Sequence, residues 1–425
     1  MNLFEDANYL YDAGTKAMNG SKWKYSTQLF EINHLLETAV LQKKLTEKDY
    51  HPGRGQKFKI CERGKPRYIT SSDMVDKTVY HTLSDDVLGP ALKPYIIQEN
   101  TASQKGKGVA MFRRQLENDL RRYYRVHGTN KGYILLTDFS GYYPNMNHDI
   151  CKKQLSEFLD KSKLDAETIT TAKFIIDGLF KTFETEARLK QIKRITKNYS
   201  DDEIEKMYYT KIDPMMNCGV DPQLLTGEKM LRKGVDIGTQ PSQDIGIIHP
   251  YKIDNCAKIV FSIEGYGRYT DDIRAISESK ERLENLLEAI KKLADEIGLI
   301  LNMRKTRIAR IDKPFRILQI QYWLTDTGRV VKKINPKSVT RERKKLKAYK
   351  RQLDLGKIDF ATVENSFKSW IASNYKIMSR LQIDNMFKLY YSLFGRRITW
   401  KKKHSRLRWL MEQALKDLPK TETTS

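Results

Sequence analysis

The sequence predicts a mixed α+β fold arranged in two or three lobes. Three observations carry that expectation. The chain has 425 residues, 40% of them hydrophobic, enough to surround substantial cores. Short apolar runs of strand length recur at 57–69, 132–139, 258–276 and 315–324. Longer segments with helical periodicity lie between and after them, the clearest at 279–298.

Taken in order, residues 1–50 alternate apolar and charged positions at helical spacing, with Leu29, Phe30, Ile32, Leu35, Leu36, Ala39 and Val40 as the apolar members. The stretch from His51 to Gly55 punctuates. KFKICERGKPRYI (57–69) reads as two strands around a turn at Gly64. Residues 73–98 read as helix, 100–110 as a basic glycine-containing loop, 109–126 as helix, and GYILLTDF (132–139) as a buried strand. Residues 184–233 are charged and weakly periodic, with Lys190, Lys193, Arg194, Lys197 and Lys206, and read as an insertion or a surface helix pair. KIVFSIEGYGRYTDDIRAI (258–276) reads as paired strands with Thr270-Asp271 near the connecting turn. In the next helix Leu283, Leu286, Leu287, Ile290, Leu293 and Ile297 share a face, Ser279 caps the start and Gly298 stops it. Residues 315–324 read as strand, and basic helices follow from about 336, with a basic and aromatic tail at 396–409.

Charge is the strongest global signal. There are 77 Lys+Arg against 53 Asp+Glu, a formal net charge of +24. Such a chain attracts polyanions, nucleic acid first among them. There is no apolar run long enough to span a bilayer and no basic-then-apolar leader pattern in residues 1–30, so no membrane partner is expected. The four cysteines, Cys61, Cys151, Cys218 and Cys256, form no CxxC pair, which points to a reducing, cytoplasmic setting.

Against this basic background, adjacent carboxylates need a reason. YGRYTDD (266–272) ends in Asp271 and Asp272, and LLTDFSGYYPNMNH (135–148) puts Asp138 at the end of the predicted strand. Taken singly, the pair reads as a solvated turn and Asp138 as a turn former or helix cap. Together, D-F-x-G-Y-Y followed by Y-x-D-D resembles motifs A and C of the reverse transcriptases. That resemblance implies a right-hand polymerase, with fingers, a palm of antiparallel sheet and helices, and a helical thumb. The corresponding boundaries are 1–130 for N-terminal helices and fingers, 131–330 for the palm with finger elements and the 184–233 insertion, and 331–425 for the basic thumb and tail.

It also implies a chemistry. Phosphoryl transfer to a 3′-hydroxyl uses two divalent ions about 3.5–4 Å apart, held by hard oxygen ligands. Asp138, the carbonyl of Phe139, Asp271 and Asp272 would hold two Mg²⁺ ions, with Mn²⁺ the alternative. Other segments follow in the family's order. Lys65 and Arg67 match the finger strands that hold the incoming triphosphate. SDMVDKTVYHTL (72–83) resembles a D-R-x-V-x-H helix with Lys77 for the arginine. NTASQKGKGVA (100–110) resembles a loop whose basic residues here are Lys105 and Lys107. IGTQPSQ (237–243) resembles motif B through Gly238, Ser242 and Gln243. NMRKTRI (302–308) resembles motif D, with Lys305 as the lysine that protonates the leaving group. In FRILQIQYW (315–323), Gln319 stands where the primer grip carries glycine. Tyr143, five residues after Asp138, matches the aromatic that excludes a 2′-hydroxyl and so selects deoxynucleotides; its other reading is a core aromatic. Arg341, Lys344 and Lys345 are expected to grip a duplex backbone without reading sequence. Trp400 and Trp409 read as base-stacking or as helix-packing residues.

The expected partners are an RNA template, taken as a companion non-coding RNA, the DNA product, deoxynucleoside triphosphates, and an accessory protein or a second copy. The motif B wording resembles that of diversity-generating retroelements and related bacterial groups, and the chain as a whole resembles the defence-associated enzymes of bacteria. The readings carried forward are defence-associated synthesis from a companion RNA, a mutagenic copier of a diversity-generating element, template-independent synthesis, and an RNA-binding scaffold without catalysis.

Overall fold

The computed structural model describes residues 2–62, 65–186, 230–401 and 404–417. Most of the 184–233 insertion, with its five basic residues, lies outside the described residues. The chain forms two compact units, Met1–Asp119 with Tyr133–Ile308, and Leu120–Gly132 with Ala309–Ser425. Both mix helices with antiparallel strands, so the α+β expectation holds.

The first unit opens with helices α1 (Ala7–Met18), α2 (Tyr25–Ile32) and α3 (His34–Thr46). The Asp6 carboxylate caps α1 by accepting from the Asn8 and Tyr9 amides. Gly14 lets α3 approach closely, because a Cβ there would lie 2.3 Å from His34 Nε2. Strands β1 (Gln56–Glu62) and β2 (Lys65–Ser71) form the hairpin expected at 57–69. Helix α4 (Met74–His81) continues as a π-helical turn (Thr82–Leu88), and helix α5 (Val109–His127) starts in this unit and ends in the second.

That sheet is built on β3 (Tyr133–Thr137), an almost fully buried apolar strand. After β3 the chain makes β4 (Phe139–Ser140) and helices α6 (His148–Asp160), α7 (Ala166–Phe183) and α8 (Gln240–Ile248). It returns as β5 (Gly267–Tyr269) and β6 (Asp272–Ser277), with β6 antiparallel to both β3 and β5. Helix α9 (Lys280–Glu296) then packs on the sheet through Leu283, Leu286, Ile290 and Ala294. Ser279 caps it by accepting from the Arg282 amide, and Gly298 (φ +72°) ends it in the left-handed region. Strand β7 (Ile300–Leu301) pairs with β4, and β8 (Arg307–Arg310) completes the order β8-β3-β6-β5.

One expectation fails here. The run 258–266 does not pair as strand: Cys256–Val260 is a π-helical turn and the strand begins only at Gly267. Ile259 and Val260 are 72% and 75% exposed, so the apolar run that suggested a strand has no sheet to enter.

In the second unit, β9 (Phe315–Ile317), β10 (Ile320–Leu324) and β11 (Val330–Ile334) form an antiparallel sheet. Thus 315–324 is a hairpin and not one strand. Helices α10 (Pro336–Asp354), α11 (Phe360–Asn374), α12 (Arg380–Phe394) and α13 (Ser405–Ala414) enclose a separate core around Leu346, Phe367, Phe387 and Tyr390. Trp400 packs at the edge of this core. Trp409 sits between the Arg380 and Arg406 guanidinium groups, 5.1 and 4.4 Å from its ring.

Candidate active site

The register of the central sheet brings the three acidic residues together. Thr137 faces Ile273, so one further step of the antiparallel ladder sets Asp138 opposite Asp272. Tyr269 pairs with Asp272, leaving Thr270 and Asp271 as a two-residue turn, and Thr270 takes the left-handed φ of +53° that such a turn demands. Asp271 therefore sits at the tip of the hairpin.

Asp138 is buried, 5% exposed. Its Oδ2 accepts from the Lys305 ammonium, while its Oδ1 is buried with no hydrogen-bond partner. Its carbonyl accepts from the Asn302 amide at 2.8 Å, tying the end of β3 to the turn that carries Lys305. Phe139 is buried in the β4–β7 pair and stacks on Tyr142 at 5.4 Å. Burial, then the neighbouring Asp271 and Asp138 carboxylates, push Asp272 up to about 7. Asp271 is raised by burial and by Asp138. The hydrogen bond to Asp138 raises Lys305 in turn.

A hard divalent cation fits this donor set. The donors are carboxylate oxygens, one buried oxygen has no partner, and the mutual repulsion that raises two of the acids is what a dication relieves. Among the described residues, no three His, Cys, Asp and Glu side chains already converge as a metal-ligand group. On Asp138 the cation's part is taken by the Lys305 ammonium.

Tyr143 lies beside this cluster. It is half-buried, and burial with the charge of Asp271 pushes its hydroxyl up to about 12. Its ring occupies space left by Gly246 in α8, where a Cβ would lie 2.6 Å from the Tyr143 hydroxyl. Gly238 adopts φ +129°, and a Cβ there would lie 2.3 Å from the Thr70 carbonyl, so the segment before α8 lies directly on β2. The Thr70 amide donates to the Ile237 carbonyl at 2.8 Å. Ser242 is buried, with its hydroxyl 2.6 Å from the capping Thr239 hydroxyl. Gln243 is exposed on the first turn of α8.

Arg67 is exposed on β2, and Lys65 begins that strand with its side chain outside the described residues. Lys105 is exposed, whereas the Lys107 ammonium donates to the Gln98 and Asn100 carbonyls at 3.1 and 3.2 Å and ties down its own loop. In the second unit Arg341 and Lys344 are exposed on α10. Lys345 donates to the Ser366 hydroxyl at 2.6 Å and lies over the Tyr349 ring.

Three residues of the site escaped the sequence reading. Arg268 and Asp254 are fully buried behind the hairpin, and Arg268 donates to the Thr270 carbonyl at 3.0 Å and to the Ile247 carbonyl at 2.6 Å. Gly246 is the third. A glycine inside an otherwise apolar helix, IGIIH, was the available signal for it.

No protein-family model matches the chain, and no curated protein matches it. Among solved structures, telomerase from Candida albicans, determined with the TWJ fragment of telomeric RNA, is similar at 12% sequence identity and a TM-score of 0.42. The similarity covers 85% of this chain and 62% of that one, so the chain spans less than two thirds of the telomerase.

Proposed function

We propose that the chain is an RNA-directed DNA polymerase whose active centre is Asp138, Asp271 and Asp272. The observation that carries this reading is the ladder register, which sets a buried carboxylate with an unpartnered Oδ1 opposite Asp272, beside the two-residue turn that bears Asp271. Nothing in packing requires three carboxylates to crowd together in a chain of +24. Binding two metal ions does.

In this reading Asp138 and Asp271 would hold two Mg²⁺ ions, with Asp272 beside them and Mn²⁺ as a substitute. When bound, the ions supply activation of the 3′-hydroxyl and charge neutralisation on the triphosphate. Lys305 holds its proton at Nζ against Asp138 and delivers it to the departing pyrophosphate. Tyr143, wedged against Gly246, closes the space beside the sugar and selects deoxynucleotides. Gly238 lets the backbone before α8 run close to the template pair. Arg67 and Lys65 bind the triphosphate, and the exposed basic residues Lys105, Arg341 and Lys344 bind nucleic acid backbone.

A resemblance to the defence-associated bacterial enzymes supports a companion non-coding RNA as template, in anti-phage defence in the cytoplasm. The 184–233 insertion and the Gln319 hairpin set the chain apart from the compact diversity-generating type.

The test is incorporation of labelled deoxynucleotide by the purified full chain with its co-purified RNA. Incorporation that requires Mg²⁺ or Mn²⁺, falls ~10³-fold or more in Asp271→Asn, and yields DNA complementary to that RNA is expected. Wild-type protein that incorporates nothing with either ion, or an Asp271→Asn variant as active as wild type, removes the reading.

A further inference from the structure

Helices α2 and α3 bury the wrong-looking face. Toward the core they turn Phe30, His34, Thr38, Leu41 and Leu45. Toward solvent they turn Leu29 (49% exposed), Ile32 (80%), Leu35 (75%), Leu36 (65%) and Val40 (43%), with Tyr25 (79%) at the start. A helix that hides histidine and threonine while showing five aliphatic side chains carries a second apolar stripe beyond the one its own core uses.

The stripe has a defined spacing. Tyr25, Leu29, Ile32, Leu36 and Ala39 step by four, three, four and three residues, the heptad rhythm of a helix seam, and Leu35 and Val40 flank it. Only Asn33 interrupts the two helices. Helical hydrogen bonds run through the interruption, from the Asn33 amide to the Leu29 carbonyl and from the Glu37 amide to the Asn33 carbonyl.

We propose that this face pairs with the same face of a second copy of the chain. Charge and area both favour that occupant. From Tyr25 to Gln42 the sequence has no Lys or Arg, in a chain that has 77 of them, so the face is not built for nucleic acid or an anionic membrane. Two chains of +24 repel each other wherever basic residues meet. This stretch avoids that, and the positions flanking its seam, Gln28, Leu35, Val40 and Gln42, are uncharged. A heptad seam is self-complementary about a two-fold axis. With whole aromatic side chains at about 150–250 Å² and aliphatic ones somewhat less, the exposed side chains of this face, with Trp23 (76% exposed) at its edge, offer on the order of 800 Å². That is about what each partner contributes to a standard interface.

The test measures the mass of the nuclease-treated full chain by sedimentation equilibrium, in high salt so that residual nucleic acid cannot bridge copies. A dimer at micromolar concentration is expected. Ile32→Glu with Leu36→Glu should weaken it roughly 100-fold or more, and Ile32→Ala with Leu36→Ala roughly tenfold. Both side chains are exposed, so the thermal melt of the diluted monomer should not move. The alanine pair favours helix and keeps the test valid where the acidic pair disturbs the fold. Wild-type protein that stays monomeric at tens of micromolar overturns the proposal. So does a dimer that the alanine pair leaves as tight as wild type, because its interface then lies elsewhere. These outcomes are independent of any polymerase activity.

Discussion

Arg268 and Asp254 are both fully buried and meet through two hydrogen bonds, from Nε at 2.8 Å and from the second guanidinium nitrogen at 2.7 Å. The same guanidinium also reaches the Thr270 carbonyl in the acidic turn and the Ile247 carbonyl at the end of α8. One planar group thus fixes the hairpin tip against the helix that accommodates Tyr143. Removing one partner of such a pair leaves an uncompensated charge. Asp254→Ala is expected to cost about 3–5 kcal/mol in urea denaturation. Arg268→Lys, which has no fork, should lower nucleotide incorporation at least ~10-fold while remaining folded at low temperature. A loss of stability below ~1 kcal/mol in Asp254→Ala would contradict the clamp.

The turn between β9 and β10 tests backbone strain. Leu318 and Gln319 both adopt left-handed φ, +43° and +71°, as a tight two-residue hairpin requires. Gln319 thus has the backbone of the glycine it replaces. Gln319→Gly should raise stability by about 0.5–1 kcal/mol through relief of that conformation. A lower denaturation midpoint in the variant would show that the glutamine side chain contributes more than its backbone costs.

Gly238 makes a contrast with Gly128. Both have positive φ, +129° and +64°, but only at Gly238 would a Cβ strike backbone, 2.3 Å from the Thr70 carbonyl, while nothing lies within 4 Å of a Cβ at Gly128. Gly238→Ala should therefore cost about 2–4 kcal/mol, against ~1 kcal/mol for Gly128→Ala. Equal losses in paired thermal melts would mean that the approach to β2 is not tight.

Asp244 predicts a pH dependence. It lies on α8 with an unpartnered Oδ2, and burial pushes it up to about 7. A raised acid means that the folded chain holds a proton which the unfolded chain has released between about pH 4 and pH 7. That residue's contribution to stability is thus greatest below the window and falls as pH rises through it. Asp244→Asn should remove this decline and be more stable than wild type near pH 8, by about 1–3 kcal/mol. Parallel urea titrations near pH 5 and pH 8 check it, and equal slopes in the two proteins would refute it.

Much of this was legible because local chemistry and tertiary structure agreed. Helix α9 shows Ser279, an i, i+3, i+7 apolar stripe and Gly298 in the sequence, and each does in the structure what it suggests. The 266–272 hairpin and the end of β3 were readable for the same reason. The 258–266 run misled because a short apolar stretch has no periodicity to separate strand from helical turn. At 25–42 the sequence carries two stripes, and periodicity cannot say which one meets the chain's own core. Arg268 and Arg274 were invisible as core residues because isolated charges read as surface until Asp254 and Asp119 are seen beside them.

The segment 120–132 belongs to the second unit although it precedes most of the first. There the Tyr124 hydroxyl donates to the Asp326 carbonyl, Asn130 donates to the Leu324 carbonyl, and the Gly132 carbonyl accepts from the Ile311 amide. On the ribosome these donors and acceptors emerge nearly two hundred residues before their partners. These hydrogen bonds wait for residues 309–326 to be made, and a chain cut after Ile308 leaves residues 120–132 of the second unit on the fragment that carries the first. Neither unit corresponds to a single contiguous fragment, and any split version of this protein has to be divided inside a unit or rewired by circular permutation.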